Sequence, residues 1–392
     1  MTGRNVACAI RANVRGMSRW TPPPADTLRL MLVGDLMTGR GIDRILRWPL
    51  PAPPGLGARE ARRQLREAER ANGPVPLRSG PDYVWGDALE AMAQLDAPLR
   101  LASLGTAITS AATAWAGKDT HLRMNPRHVD CLAAGGITAC ALASDHLLDW
   151  DYPGLRETLA ALSEAGIAGA GAGLDAASAL SPAIMAIGPG ARLLLFSWAT
   201  PAAGIPAGWG ATSTRPGIAL LPGLGEADAR EVKACVECHR KPGDLVVVSL
   251  HWGEREAAEV SAAQRAFAHR LVDLGIVDVL HGHGARAPLP FEVYGDRLLL
   301  YACGDLIDDE EAMPVAEGQR ADLGCLYVAT LARRDGRLRM LEIQPLRRRR
   351  FRLERADAEA WIWLGRRLGL PSEDRGAGDD APEIPWCLRW DA

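Results

Sequence analysis

Three short apolar runs between Asp244 and Asp309 constrain the fold of this chain more than any other feature. The first, Leu245-Val-Val-Val-Ser-Leu-His251, ends on His251-Trp252-Gly253. A helical interval at 262–274 leads to the second, Val277-Asp-Val-Leu-His281-Gly282-His283-Gly284. The third, Arg297-Leu-Leu-Leu-Tyr-Ala-Cys-Gly304-Asp305, reads as one strand that closes the stretch. Runs of Val, Leu and Ile that are apolar on both faces predict buried strands flanked by helices. Open α/β sheets gather their functional groups just past the C-terminal ends of such strands. Three of the eight histidines, His251, His281 and His283, fall at two such ends, and imidazole suits Zn, Fe, Mn or Ni. A single strand-end histidine is more often structural. Three at two ends, next to glycines that admit a close ligand, point to a site.

The same pattern recurs upstream. Leu28 to Val33 predicts a first core strand, and Gly34-Asp35-Leu-Met37-Thr-Gly39-Arg40 turns out of it. Taken alone, Asp35 reads as a helix cap. Helices are expected at 58–71, 88–95 and 126–134, and strands at 99–104 and 139–143. Ser144-Asp145-His146 follows the 139–143 strand, so a carboxylate and an imidazole meet at its end. An amphipathic helix is expected at 152–165, a hairpin at 183–187 and 191–197, and a further helix at 227–240. That last helix carries Cys235-Val-Glu-Cys238-His239. It matches a haem-attachment pattern by chance, since no export signal or axial Met accompanies it. Glycines 166–173 lack the Lys-Ser/Thr of a phosphate loop.

Beyond Asp309, strands are expected at 320–331, 337–343 and 350–354, and a helix at 357–368. The strands at 337–343 and 350–354 alternate basic and apolar residues, and with that alternation and its acidic neighbours the arginine run Arg347 to Arg350 reads as the solvated face of an edge strand. The expected division is an extended Pro-rich leader at 1–26, a main domain at 27–331, and C-terminal strands and helix at 332–392 that pack on it and end in a polar tail. A net charge of −3 gives no reason to expect a nucleic-acid partner, and no apolar stretch approaches the ~20 residues of a membrane span. With no secretory h-region in Met1 to Trp20, a cytoplasmic location with reduced cysteines is expected.

Five motifs taken together resemble the capsule-synthesis CapA, or poly-γ-glutamate synthesis, family. They are Gly34-Asp35-Leu-Met37-Thr-Gly39-Arg40, Leu142-Ala-Ser-Asp145-His146, Ser249-Leu-His251-Trp252-Gly253, His281-Gly-His283 and Tyr301-Ala-Cys-Gly304-Asp305-Leu-Ile-Asp308-Asp309. They keep the family's order from about Leu28 to Leu331. The resemblance implies a four-layer α/β/β/α sandwich of the calcineurin-like metallophosphoesterase type, with a metal centre at the strand ends. It assigns Asp35, Asp145, His251 and His283 as ligands of a divalent ion (Mn, Zn, Fe or Ca). His146 becomes the proton donor, and His281 and Asp305 stand beside the ligands. Two positions depart from the family. Its bridging Glu is Gly105 here, so one ion is expected rather than two. Its last histidine is Arg286, which could instead clamp a phosphate or carboxylate.

The implied activity is metal-assisted hydrolysis, with a phosphoester as the default and a small molecule, polymer or peptide as the substrate. Two other readings accompany it: a non-catalytic accessory protein of capsule or polymer synthesis, and a metal-dependent peptide epimerase.

Overall fold

The computed structural model describes residues 26–51, 56–313, 315, 318–370 and 385–390. The leader at 1–25 and the tail at 371–384 and 391–392 lie outside the described residues.

Two mixed sheets carry the fold. In the first, strand Thr27–Leu36 pairs in parallel with Leu99–Leu104, and Ala139–Ala141 and Ala168–Ala170 continue outward on that side. On its other side it pairs antiparallel with Leu323–Ala332, which pairs with Leu338–Arg349. In the second sheet Leu245–His251 lies between Ala191–Ala199 and Val279–His283, parallel to both. Arg297–Leu300 and then the edge strand Phe291–Tyr294 continue the ladder on one side, and the hairpin strand Ala183–Gly188 closes it on the other.

Strand alternation divides the apolar residues among three layers. Leu28, Leu30 and Leu32 pack with Leu193, Leu195, Val247 and Val279 between the sheets. The alternate residues Met31 and Val33 face outward onto a core that includes Met92, Leu132, Leu155 and Leu162. On the far side, Leu194, Phe196, Val246 and Val248 meet Ala229, Val232 and Val236 of helix Glu226–His239 and Phe267 and Leu271 of helix Ala262–Asp273. The result is an α/β/β/α four-layer sandwich, and both faces of the central strands are buried because each sheet has helices behind it.

Two expectations need correction. The run from Arg297 to Asp305 is not one strand. Arg297–Leu300 belongs to the second sheet, whereas Asp305–Ile307 pairs in parallel with Thr27–Leu36 of the first, with Asp35 opposite Asp305. The chain crosses between sheets at Gly304, whose φ of +75° suits glycine. A Cβ on Gly34 would lie 1.6 Å from the Gly304 carbonyl oxygen, so both positions need a missing side chain. The Arg347 to Arg350 run is not an exposed edge either. Leu338–Arg349 is covered by Arg352–Arg355 and Trp386–Arg389, and the Arg348 guanidinium is buried, donating to the carbonyls of Asp305 and Ala321. Alternation is the same in a central strand as in an edge strand, and only the later strands distinguish the two. Those strands extend the first sheet directly, and helix Ala358–Leu368 packs Trp361 and Leu364 into the core between the sheets.

Candidate metal centre

Asp35 lies near the end of its strand, 3 % exposed. Its N–H donates to Gly304 O at 3.1 Å, and the N–H of Gly284 reaches its Oδ2 at 3.4 Å. Its Oδ1 is buried with no hydrogen-bond partner. Asp35 caps no helix: the next one begins at Arg40, with Gly39 at its N-cap.

His251 and His283 occupy paired positions on neighbouring parallel strands, as do Ser249 and His281. His281 Nε2 is 2.9 Å from the carbonyl of Val33, which can only accept, so Nε2 carries the hydrogen. Burial first, and then the neighbouring His283, hold the His281 imidazole well below its usual range, so it is neutral and its Nδ1 is a bare acceptor. His283 Nε2 lies 3.1 Å from that Nδ1 and 2.8 Å from Ser249 Oγ, and it donates into this pair. His283 is itself held neutral, by burial and then by His251. The hydrogen-bond network thus fixes the tautomer of His283 and leaves its Nδ1 as a lone pair, buried without a partner. His251 Nδ1 is buried and unpartnered in the same way.

The second half of the site follows strand Ala139–Ala141. Asp145 Oδ1 lies 3.4 Å from His251 Nε2, and Asp145 Oδ2 lies 3.5 Å from His146 Nε2. Burial alone would raise the Asp145 carboxyl. His146, His251, Lys118 and Arg255 outweigh it and hold the group well below the usual carboxylate range, although 27 % of the side chain is open to solvent, which screens part of the effect. His146 Nδ1 is 2.7 Å from Asp149 Oδ2. Lys118 Nζ donates to Asp149 Oδ1 and to the Asp145 carbonyl, and lies 3.1 Å from His146 Nδ1. Lys118, Ser249 and Arg255 join the site without being among the residues predicted from the sequence. Lys118 is one of only three lysines in an arginine-rich chain, which was the one available signal for it.

Asp145 thus meets His251 at Nε2, His283 holds the backbone position paired with His251, and the N–H of the adjoining Gly284 reaches Asp35. Gly105 borders the same place: a Cβ there would lie 3.7 Å from Asp35 Cβ and 2.9 Å from Met37 Cγ. Met37 fills the room that a carboxylate at 105 would need.

Arg286 is held elsewhere. Its Nη1 donates to Glu310 at 2.7 Å and its Nε to Glu256 at 3.2 Å. Arg255 joins the same acidic group, 2.8 Å from Glu310, 3.4 Å from Asp305 and 3.5 Å from Asp308. Arg40 reaches Asp309 at 2.5 Å and Glu310 at 2.8 Å. The guanidinium expected to clamp a substrate anion is thus already occupied by carboxylates.

Among the described residues, no three His, Cys, Asp or Glu side chains form a group that could hold a metal ion as they stand. The donor chemistry nonetheless fits a divalent cation. Asp35 Oδ1, His251 Nδ1 and His283 Nδ1 are buried without hydrogen-bond partners, and each such group costs about 1–3 kcal/mol if left unpaired.

A layered α/β sandwich with carboxylates and imidazoles at the strand ends defines the class. The model of the bacterial capsule synthesis protein PGA_cap family matches residues 29–310, and the chain belongs to that family. A probable polyglutamine synthesis accessory protein of Mycobacterium tuberculosis is 38 % identical over 343 residues, covering 86 % of this chain and 90 % of that protein. The capsule biosynthesis protein CapA of Bacillus anthracis is 27 % identical over 196 residues, covering 50 % of this chain and 46 % of that one. Among solved structures, a phosphatase from Mycoplasma pneumoniae aligns with a TM-score of 0.44 at 9 % identity, covering 81 % of this chain and 93 % of that one. No helix among the described residues is long and apolar enough to cross a membrane.

Proposed function

We propose that this chain is a metal-assisted hydrolase of the capsule-synthesis family, with a phosphoester as its substrate. The observation that carries the reading is the set of unpartnered buried donors, Asp35 Oδ1, His251 Nδ1 and His283 Nδ1, at the ends of strands from both sheets. With Asp145, these residues would hold one divalent ion (Mn, Zn, Fe or Ca). A divalent cation bound there supplies Lewis acidity toward a phosphoryl oxygen.

The remaining work falls to the chain itself. Ser249 and His281 orient His283 so that Nδ1 faces the site. Asp149, buried and tied to Lys118 and the Leu122 N–H, accepts from His146 Nδ1 and turns Nε2 toward Asp145 and the open side. From there His146 can hand a proton to a leaving oxygen, a role worth about 10²–10⁴ in rate. Turnover of a generic aryl phosphate or phosphodiester, compared with deuterium uptake into a peptide, tests the reaction class. Hydrolysis that falls in His146→Ala while the metal remains bound supports the reading. Deuterium uptake without hydrolysis would replace it with the epimerase.

A second reading has its own support. Gly105 and Met37 leave no carboxylate to bridge a second ion, and the relative that matches most of the chain carries an accessory-protein name. In that reading the sandwich binds a component of polymer synthesis without turning it over.

A further inference from the structure

The loop after His251 carries a guanidinium to which the hydrolase reading gives no role. Trp252 and Gly253 turn out of the strand with both N–H groups directed at the His283 carbonyl, at 3.4 and 3.1 Å. The Ala257 N–H closes a turn onto Glu254 O, and Arg255 O accepts from the Arg286 N–H at 2.8 Å. The loop backbone is thereby tied to the segment that follows His283, and the Arg255 side chain crosses toward the strand ends of the first sheet. There its Nη2 bonds Glu310 at 2.8 Å and faces Asp305 and Asp308 at 3.4 and 3.5 Å. Its Nη1 donates to the Met37 thioether at 3.7 Å, a weak acceptor. Met37 is the side chain that fills the room beside Gly105 and Asp35, so this nitrogen borders the candidate metal centre. The charge of Arg255 also acts on Asp145 at the other side of the opening. Arg255 is 35 % exposed, whereas the carboxylates of Asp305 and Asp308 beneath it are closed to solvent. Arg286, by contrast, is 10 % exposed and bonded to carboxylates through both Nε and Nη1.

From this geometry we infer that Arg255 binds the phosphoryl group of the substrate, with its Nη1 side paired to a non-bridging oxygen. The inference rests on the hydrolase reading above and adds the residue that recognises the anion. Glu310, Asp305 and Asp308 hold the far nitrogen, so the guanidinium is oriented before an anion arrives and loses little further freedom on binding it. Exchanging a thioether contact for a phosphoryl oxygen replaces a weak hydrogen bond with a charge-assisted one. The positive charge matters because Gly105 leaves a single ion expected at the centre, and a phosphoester brings at least two non-bridging oxygens. Lys118 does not fill this need. Its ammonium is taken by Asp149 and the Asp145 carbonyl.

The test is calorimetric titration of the full chain with inorganic phosphate, both as purified and after loading with Mn. The parent protein should bind phosphate, and Arg255→Ala should weaken that binding about tenfold or more without loss of bound metal. Arg255→Lys keeps a cation over the buried carboxylates and so covers the case in which the alanine variant fails to fold. It should recover only part of the affinity, because an ammonium lacks the planar fork. A residue that served only as counter-ion to Asp305 and Asp308 would lower the melting temperature of Arg255→Ala and leave phosphate affinity in Arg255→Lys at the parent value. That result, or a parent protein that binds no phosphate in either form, would overturn the inference while ester turnover could still stand. Phosphate binding that depends on Arg255 in a protein that neither holds metal nor hydrolyses an ester would uphold the anion site and count against the hydrolase reading instead.

Discussion

His283 Nε2 lies 3.1 Å from the Nδ1 of His281, and the contact can run in only one direction because His281 gives its own hydrogen to the carbonyl of Val33. One backbone oxygen of the first sheet thereby sets which nitrogen of a second-sheet histidine is free for a ligand. Replacing His281 with Ala should weaken binding of Mn or Zn about 10–100-fold, the usual effect of losing a residue that orients a ligand. Calorimetry on the folded variant measures it. An unchanged affinity would show that Ser249 alone orients His283.

Gly105 and Met37 make a prediction in the opposite direction. Together, Gly105→Glu and Met37→Ala put a carboxylate next to Asp35 and clear the 2.9 Å clash that the new Cβ would otherwise meet. The double variant should bind a second divalent ion, read as a metal content rising from one to two per chain. The single variant Gly105→Glu should lose stability, since Met37 has to move.

The ion cluster around Arg40 gives a pH dependence. Burial, opposed by Arg40 and reinforced by Asp308 and Glu310, pushes the Asp309 carboxyl up to about 7. A carboxyl whose folded value lies above its unfolded value of ~3.9 binds more protons when folded, so its contribution to stability declines as pH rises from about 4 to 7. Glu310 shifts the other way: burial opposes it, but Arg40, Arg255 and Arg286 prevail and hold it well below its usual range. Its contribution is therefore present above ~4 and is lost only in stronger acid. Asp309→Asn should flatten the decline between pH 4 and 7 in urea melts. A slope that stays the same would assign the decline to other groups.

Much of this architecture can be read from the residues, and the exceptions share a cause. Leu245–His251 and Val279–His283 announce themselves because strands buried on both faces need no polar alternation, and their histidines stand out against it. Periodicity says nothing about which sheet a strand joins. The crossing at Gly304 and the buried Arg348 are therefore invisible until the partner strands are placed. Asp35, Asp145, His251 and His283 are legible as strand-end residues in motif order. Lys118 and Arg255 are not, because they come from loops whose path depends on the finished fold. Arg286 shows the limit of reading one position at a time: its pairing with Glu310 follows from the acidic group after Asp305, not from its own surroundings in the chain.

In the proposed site Asp35, Asp145, His251 and His283 share one cation. Elemental analysis of protein purified without chelator measures this directly, with Asp35→Ala as the control. The account predicts about one Mn, Zn, Fe or Ca per chain in the parent protein and a large loss in the variant, with the fold intact by circular dichroism. A parent protein that takes up no divalent metal even when it is supplied, or a variant that retains all of it, would contradict the account and leave the accessory reading in its place.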